Sequence, residues 1–139
     1  MIDSAIIAVL MKIAVNLSGY PELPVDQIVT IDVVTSQQLA SIMCEQEIPQ
    51  QKEACFRMAK KTRAVTDRTT KKVYVDTNIG LGISNRDKYS TCIGVHEMVH
   101  LLQMASNNAN NYDLTVTEWY EAEKEAYYIQ LRCQGDING

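Results

Sequence analysis

His96 and His100 are the only two histidines of the chain, and they stand four residues apart with Glu97 directly after the first. Positions i and i+4 share one face of a helix, so both imidazoles can address one cation while the carboxylate sits beside it. The run Val95-His96-Glu97-Met98-Val99-His100-Leu101-Leu102-Gln103 has the HExxH form of zinc peptidases, two ligands and a general base from one helical turn. Chance placement of so few histidines and glutamates gives this pattern in roughly one chain in a thousand of this length.

A catalytic zinc takes three protein ligands and keeps one position open. With no third histidine, the remaining ligand is a carboxylate or a thiolate. The stretch Glu118-Trp119-Tyr120-Glu121-Ala122-Glu123-Lys124-Glu125-Ala126-Tyr127-Tyr128 offers four glutamates. At about 100° per residue, Trp119, Ala122, Ala126, Tyr127, Ile129 and Cys133 form an apolar face with Glu123 and Gln130 inside it. Glu121, Lys124, Glu125 and Arg132 fall on the other side, as a solvated charge face. An inward carboxylate is costly unless a cation compensates it. Glu123 is therefore the expected third ligand, with Glu121 or Glu125 as alternatives under another register. Asp113 and the cysteines rank lower.

Two helices must carry these groups. The first starts near a cap at Ser90 or Thr91 and runs to about Ser106, and the second spans about Thr117 to Cys133. The asparagine tract 107–111 connects them as a surface loop. Upstream, Ile2, Ile6, Val9, Leu10, Ile13 and Leu17 form one stripe of an amphipathic helix. With Asp3 as the first charge and no basic n-region, this segment does not read as a signal peptide. The alternating, β-branched run 27–35 predicts a strand. Ser36 predicts the cap of a short helix, and Pro49 opens another that runs to about Lys61. The stretches 64–66 and 73–75 flank a polar turn and predict a β-hairpin. If 73–75 is an exposed edge, a peptide can add to it as a further strand.

Bulk composition excludes several classes. The 139 residues are 46% hydrophobic and 22% charged, which suits one globular domain over residues 1–139 rather than a disordered chain. A net charge of −4 argues against nucleic acid as a partner. The basic stretch 57–72 reads as a solvated helix end and hairpin turn. No run reaches the roughly 18 apolar residues that span a bilayer. Four cysteines, Cys44, Cys55, Cys92 and Cys133, show no CxxC pair and permit three disulfide connectivities or free thiols. Pairing would slightly favour a periplasmic or secreted protein.

HExxH followed by a helix with a Glu-x-x-Ala segment resembles the gluzincin group of zinc metallopeptidases. The likeness is greatest to small bacterial members with an HExxHxxQ helix, here 96–103, and a downstream ExEAY segment, here Glu123-Lys124-Glu125-Ala126-Tyr127. It covers roughly the last third of the chain. Tyr127 stands where some relatives carry an aspartate, and there is no Met-turn or third histidine of the metzincin kind.

The resemblance implies a compact α+β, zincin-like fold, with a small antiparallel sheet packed against the helices. It implies one zinc ion held by His96, His100 and Glu123, with Glu97 as base, and a peptide or protein substrate. Tyr127, Tyr112 or Tyr128 would supply the oxyanion donor, with Tyr127 favoured, and Gln103 would orient a ligand or the last helix. The competing expectation is a zinc-binding regulatory or interaction module that keeps the site without proteolysis. A cysteine-based enzyme fits poorly, because both histidines that could activate a thiol are already engaged.

Overall fold

Both segments that carry the chemistry are helical, as their periodicity predicts. The computed structural model describes residues 2–24, 27–45, 47–67, 70–79, 88–106 and 115–138. The elements follow in the order α1 (Ser4–Ser18), β1 (Ile31–Val34), α2 (Ser36–Cys44), α3 (Pro49–Ala59), β2 (Ala64–Asp67), β3 (Lys72–Asp76), α4 (Lys88–Ser106) and α5 (Val116–Asn138). Residues 80–87 and 107–114, with the expected loop at 107–111 and the candidates Tyr112 and Asp113, lie outside the described residues.

Local chemistry sets the helix ends. Asp3 accepts the Ala5 N–H ahead of α1, and Gly19 closes that helix at φ +78°, a left-handed conformation that glycine adopts without strain. The cap of α2 is Thr35 rather than Ser36. Its hydroxyl accepts the Gln38 N–H while the Gln38 side chain accepts the Thr35 N–H, so two orphan donors are satisfied together. Pro49 opens α3 as expected. A second reciprocal cap, Thr115 with Glu118, starts α5, which continues past Cys133. Ser90 and Thr91 lie buried inside α4, which begins before them at Lys88.

The sheet is mixed, not antiparallel. Its order is β1-β3-β2. β2 and β3 form the expected hairpin, with Thr66 opposite Val73 and Ala64 opposite Val75. β1 runs parallel to β3, Ile31 opposite Val73. Parallel neighbours need a long crossover, and α2 and α3 provide it. Residues 73–75 are consequently the centre of the sheet, paired on both sides, and the edge strand beside α4, paired on one side only among the described residues, is β2.

Ile31, Val73 and Val75 pack with Leu10 and Ala14 of α1 and with Val95, Met98, Val99 and Leu102 of α4 in one core. In α1 the buried stripe is Ile7, Leu10 and Ala14, and Val9 is 46% exposed. α4 is buried at every position from Ser90 to Met104. It is the central helix, with α1, α5 and β2 against it. Leu39, Cys44 and Ala59 add a buried patch from α2 and α3. All four cysteines pair: Cys44–Cys55 ties α2 to α3, and Cys92–Cys133 ties α4 to α5. Among the described residues no helix is long and apolar enough to cross a membrane.

One buried carboxylate holds the end of β3. Asp76 is 1% exposed and accepts hydrogen bonds from the Ser36 hydroxyl and the Asn78 N–H at 2.9 Å. Burial opposes its ionisation, but these bonds, Thr77 and the field of Arg63 prevail and lower its pKa. Replacing Asp76 with Ala should cost about 1–3 kcal/mol, because the Ser36 hydroxyl and the Asn78 amide lose their acceptor. A lowered pKa in the folded state means that this stability is complete above the unfolded aspartate value of about 3.9 and is lost as pH falls through the folded value. Urea melts at neutral pH and near pH 3 should show a wild-type disadvantage at acid pH that shrinks in Asp76→Ala.

Candidate metal centre

α4 and α5 pack against one another along their length, and the site lies between them. Because α4 is surrounded, its polar residues have little contact with bulk water, and each needs a partner from a neighbouring element. His96, His100 and Gln103 lie on one stripe of α4 at i, i+4 and i+7, facing α5. Ala126, Ile129 and Cys133 are the buried stripe of α5. Glu123 stands to one side of that stripe and Glu125 to the other, so both point into the helix pair.

Three donor atoms converge. The His96 and His100 Nε2 atoms are 3.2 Å apart. Glu123 places Oε1 2.6 Å from the His100 Nε2 and Oε2 3.6 Å from the His96 Nε2. All three donors lie within 4.8 Å of one another. Ligand atoms around a tetrahedral zinc are about 3.4 Å apart for bonds of roughly 2.0–2.2 Å. The imidazole pair is near that spacing, and the carboxylate meets the two rings through different oxygens, its contact with His100 being a hydrogen bond that a cation would replace. The group can therefore hold a metal ion.

Electrostatics favour a cation at the same point. Burial works against ionisation of Glu123, yet hydrogen bonds from His100 and His96 and their charge hold its carboxyl well below the usual carboxylate range. Burial also works against charging His100, but the Glu123 hydrogen bond and the charges of Glu97 and Glu123 raise its pKa above that of a free imidazole. The upward shift of His100 reports two carboxylates, Glu123 and Glu97, facing one buried point.

A chain of hydrogen bonds supports the second histidine. The His100 Nδ1–H donates to the Gln103 Oε1 at 2.9 Å, which leaves the Nε2 lone pair of the neutral ring free for a metal. The Gln103 amide donates to the Ala122 carbonyl and to the Glu125 Oε1, both at 2.9 Å. The Tyr20 hydroxyl donates to the same Glu125 oxygen at 2.5 Å, and burial together with that carboxylate pushes its pKa up to about 12. The tie runs from the segment after α1, through α5 and α4, to the candidate ligand. His96 lacks the equivalent: its Nδ1 is buried with no partner among the described residues.

Glu97 stands beside the donor set without joining it. Its Oε1 accepts from the Thr66 hydroxyl at 2.8 Å, and its Oε2 is 4.0 Å from the His96 Nε2. The Tyr127 ring meets the His96 ring edge to face at 4.5 Å. Burial and the nearby Glu123 and Glu97 charges raise the Tyr127 pKa, so the phenol keeps its proton at neutral pH. These groups form the floor of a cleft of about 380 Å³, walled by residues 61–66, by Tyr89 and Ile93 of α4, and by Trp119, Tyr127 and Gln130 of α5.

The sequence expectations divide accordingly. His96, His100, Glu123, Glu97, Gln103 and Tyr127 come together. Tyr128 is 62% exposed and outside the cleft. Glu121 is exposed and away from the donors. Glu125 is not part of a solvated charge face, because the phase of α5 turns it toward Gln103 and Tyr20. Its distance from the donor set leaves it as a supporting carboxylate rather than a ligand. The cysteines are consumed by disulfides. Thr66 and Tyr20 carry no motif signal. The register of the hairpin, which sets Thr66 across from inward-facing Val73, was the only pointer to Thr66.

No family model, curated protein or solved structure matches this chain.

With zinc as the probe ion, Glu123→Ala should lose the metal on dialysis, whereas Glu121→Ala should keep it; elemental analysis reads both. Gln103→Leu should weaken zinc binding about 10–100-fold, the usual cost of removing a partner of a ligating histidine. Competition with a chromophoric chelator measures that change.

Proposed function

We propose that this protein is a zinc-dependent peptidase of the gluzincin type, cleaving peptide bonds with Glu97 as general base. The observation that carries the reading is the separation of roles in the cleft. Two imidazoles and the Glu123 carboxylate converge on one point, while a second carboxylate lies beside them and is held by a different element. A purely structural metal site has no use for that second carboxylate.

Zinc bound by His96, His100 and Glu123 would supply Lewis acidity, acidifying water toward a pKa of about 7 and polarising a carbonyl. Glu97 then has the proton chemistry. Thr66 fixes one oxygen of the carboxylate, and the other faces the donor cluster, placed to take a proton from attacking water and return it to the leaving amine. Tyr127 offers a phenol that stays protonated and can donate to the oxygen that gains charge. The free edge of β2 supports an extended peptide through main-chain hydrogen bonds, which delivers its backbone along the cleft floor. Two disulfides in so short a chain fit an oxidising compartment, and we place the working protein outside the cytosol.

Glu97→Gln should retain zinc and lose peptide hydrolysis by several orders of magnitude, as expected when a general base is removed from a hydrolytic site. Full turnover in that variant would remove Glu97 from the mechanism. Wild-type protein that binds zinc yet cleaves none of a broad peptide mixture, with and without chelator, would point instead to a binding module. Thr66→Val should keep zinc and lower kcat by about tenfold, through loss of the bond that orients Glu97.

A further inference from the structure

We infer that the cleft selects an acidic peptide segment, seating a carboxylate side chain against Lys61 and Arg63 about three residues from the position of Glu97. The inference deepens the peptidase reading and rests on it for the peptide nature of the ligand.

The argument starts from an uneven charge distribution. The chain is acidic overall, −4, yet one wall of the cleft is cationic. Lys61 and Arg63 line it and are exposed. Among the described residues neither forms an ion pair, and Arg63 acts on Asp76 only through its field. Arg57 and Lys60, also exposed, extend the positive strip along the end of α3. Among the described residues, then, the cleft wall carries two exposed cations without an ion-pair partner, and the fold draws only on the field of Arg63.

Geometry fixes where an acidic side chain would sit. Residues 61–63 lead directly into β2, the strand with the free edge, and Thr66 in β2 touches Glu97. A peptide extended along that edge advances about 3.3 Å per residue. Arg63 is thus about 10 Å, or three residues, from the level of Thr66, and Lys61 adds its charge from the turn between α3 and β2. The opposite wall is aromatic. Trp119 and Tyr127 flank Glu123 on α5 and are 51% and 56% exposed, which suits apolar side chains between the acid and the bond.

Trp119 is the only tryptophan of the chain, so its emission reports occupancy of the cleft without requiring turnover. Zinc-loaded Glu97→Gln protein would be titrated with short peptides that lack aromatic residues and share an apolar centre. Their flanks would be acidic, neutral or basic. At low salt the acidic peptide should bind about tenfold tighter than the neutral one, the size expected of two partly exposed ion pairs. That margin should collapse near 0.5 M salt, where the Debye length is only about 4 Å.

The double variant Lys61→Glu/Arg63→Glu should erase or reverse the preference, and Lys71→Glu/Lys72→Glu, outside the cleft, should not. Circular dichroism confirms that each variant folds. Equal affinities for acidic and neutral peptides, a preference that survives the double variant, or no binding of any peptide would overturn the inference. Acidic-peptide binding by a protein that cleaves nothing would sink the peptidase reading and leave this subsite standing. Cleavage indifferent to charge would do the reverse.

Discussion

The burial of α4 on every side is the constraint from which the rest follows. A helix enclosed from Ser90 to Met104 places His96, Glu97, His100 and Gln103 where water cannot compensate them. An unpartnered buried polar group costs about 1–3 kcal/mol, and an unpartnered charge costs more. The neighbouring elements are therefore organised to answer those four side chains. Glu123 of α5 meets both imidazoles, Thr66 of β2 meets Glu97, and Glu125 with Tyr20 meets Gln103. Only the His96 Nδ1 is left without a partner among the described residues. The site is thus the polar solution to a packing problem posed by one helix.

That solution requires α5 to keep a fixed position against α4, since Glu123 reaches the histidines across the helix pair. Three features hold it. The small residue Ala126 is fully buried in the contact, which allows the backbones to approach. Gln103 reaches the Ala122 carbonyl, bonding one helix to the other directly beside the ligands. The Cys92–Cys133 disulfide closes a separation of 41 residues, and such a loop contributes about 4 kcal/mol by restricting the unfolded chain. Cys92 lies one turn before His96, so the covalent link and the donor set belong to the same rigid unit.

How much of this could be read from residues alone depended on whether the signal was local. The i, i+4 histidines and the intervening glutamate specify their own geometry once a helix is granted, and the hairpin follows from two short β-branched runs around a polar turn. Glu123 was legible because a carboxylate beside an apolar stripe needs a reason to be there. Glu125 was misread for the same kind of argument. At the opposite border of that stripe, phase alone does not separate solvent from a neighbouring helix, and Tyr20, more than a hundred residues away in sequence, decides it. The direction of β1 was likewise hidden, because nothing in a single strand states whether its partner runs parallel. Placing β1 beside β3 moved the free edge to β2, and with it the wall that approaches Glu97.

Ligands and cleft walls are therefore under different physical control. His96, His100 and Gln103 are fixed by the packing of α4, and a change there disturbs the core as well as the metal. Lys61, Arg63, Trp119 and Tyr127 project from the ends and sides of elements whose buried faces lie elsewhere, so substitutions at these exposed positions cost little stability. In the function we propose, metal affinity would be set by the interior and ligand preference by the surface. The two can change independently, because the hydrogen bonds that orient the donors run inward to Gln103, Glu125 and Tyr20. Two contacts cross the division, the Tyr127 ring against His96 and the Thr66 hydroxyl on Glu97. Thr66 belongs to β2 and its hydroxyl holds Glu97, so a displacement of β2 would move the carboxylate with it.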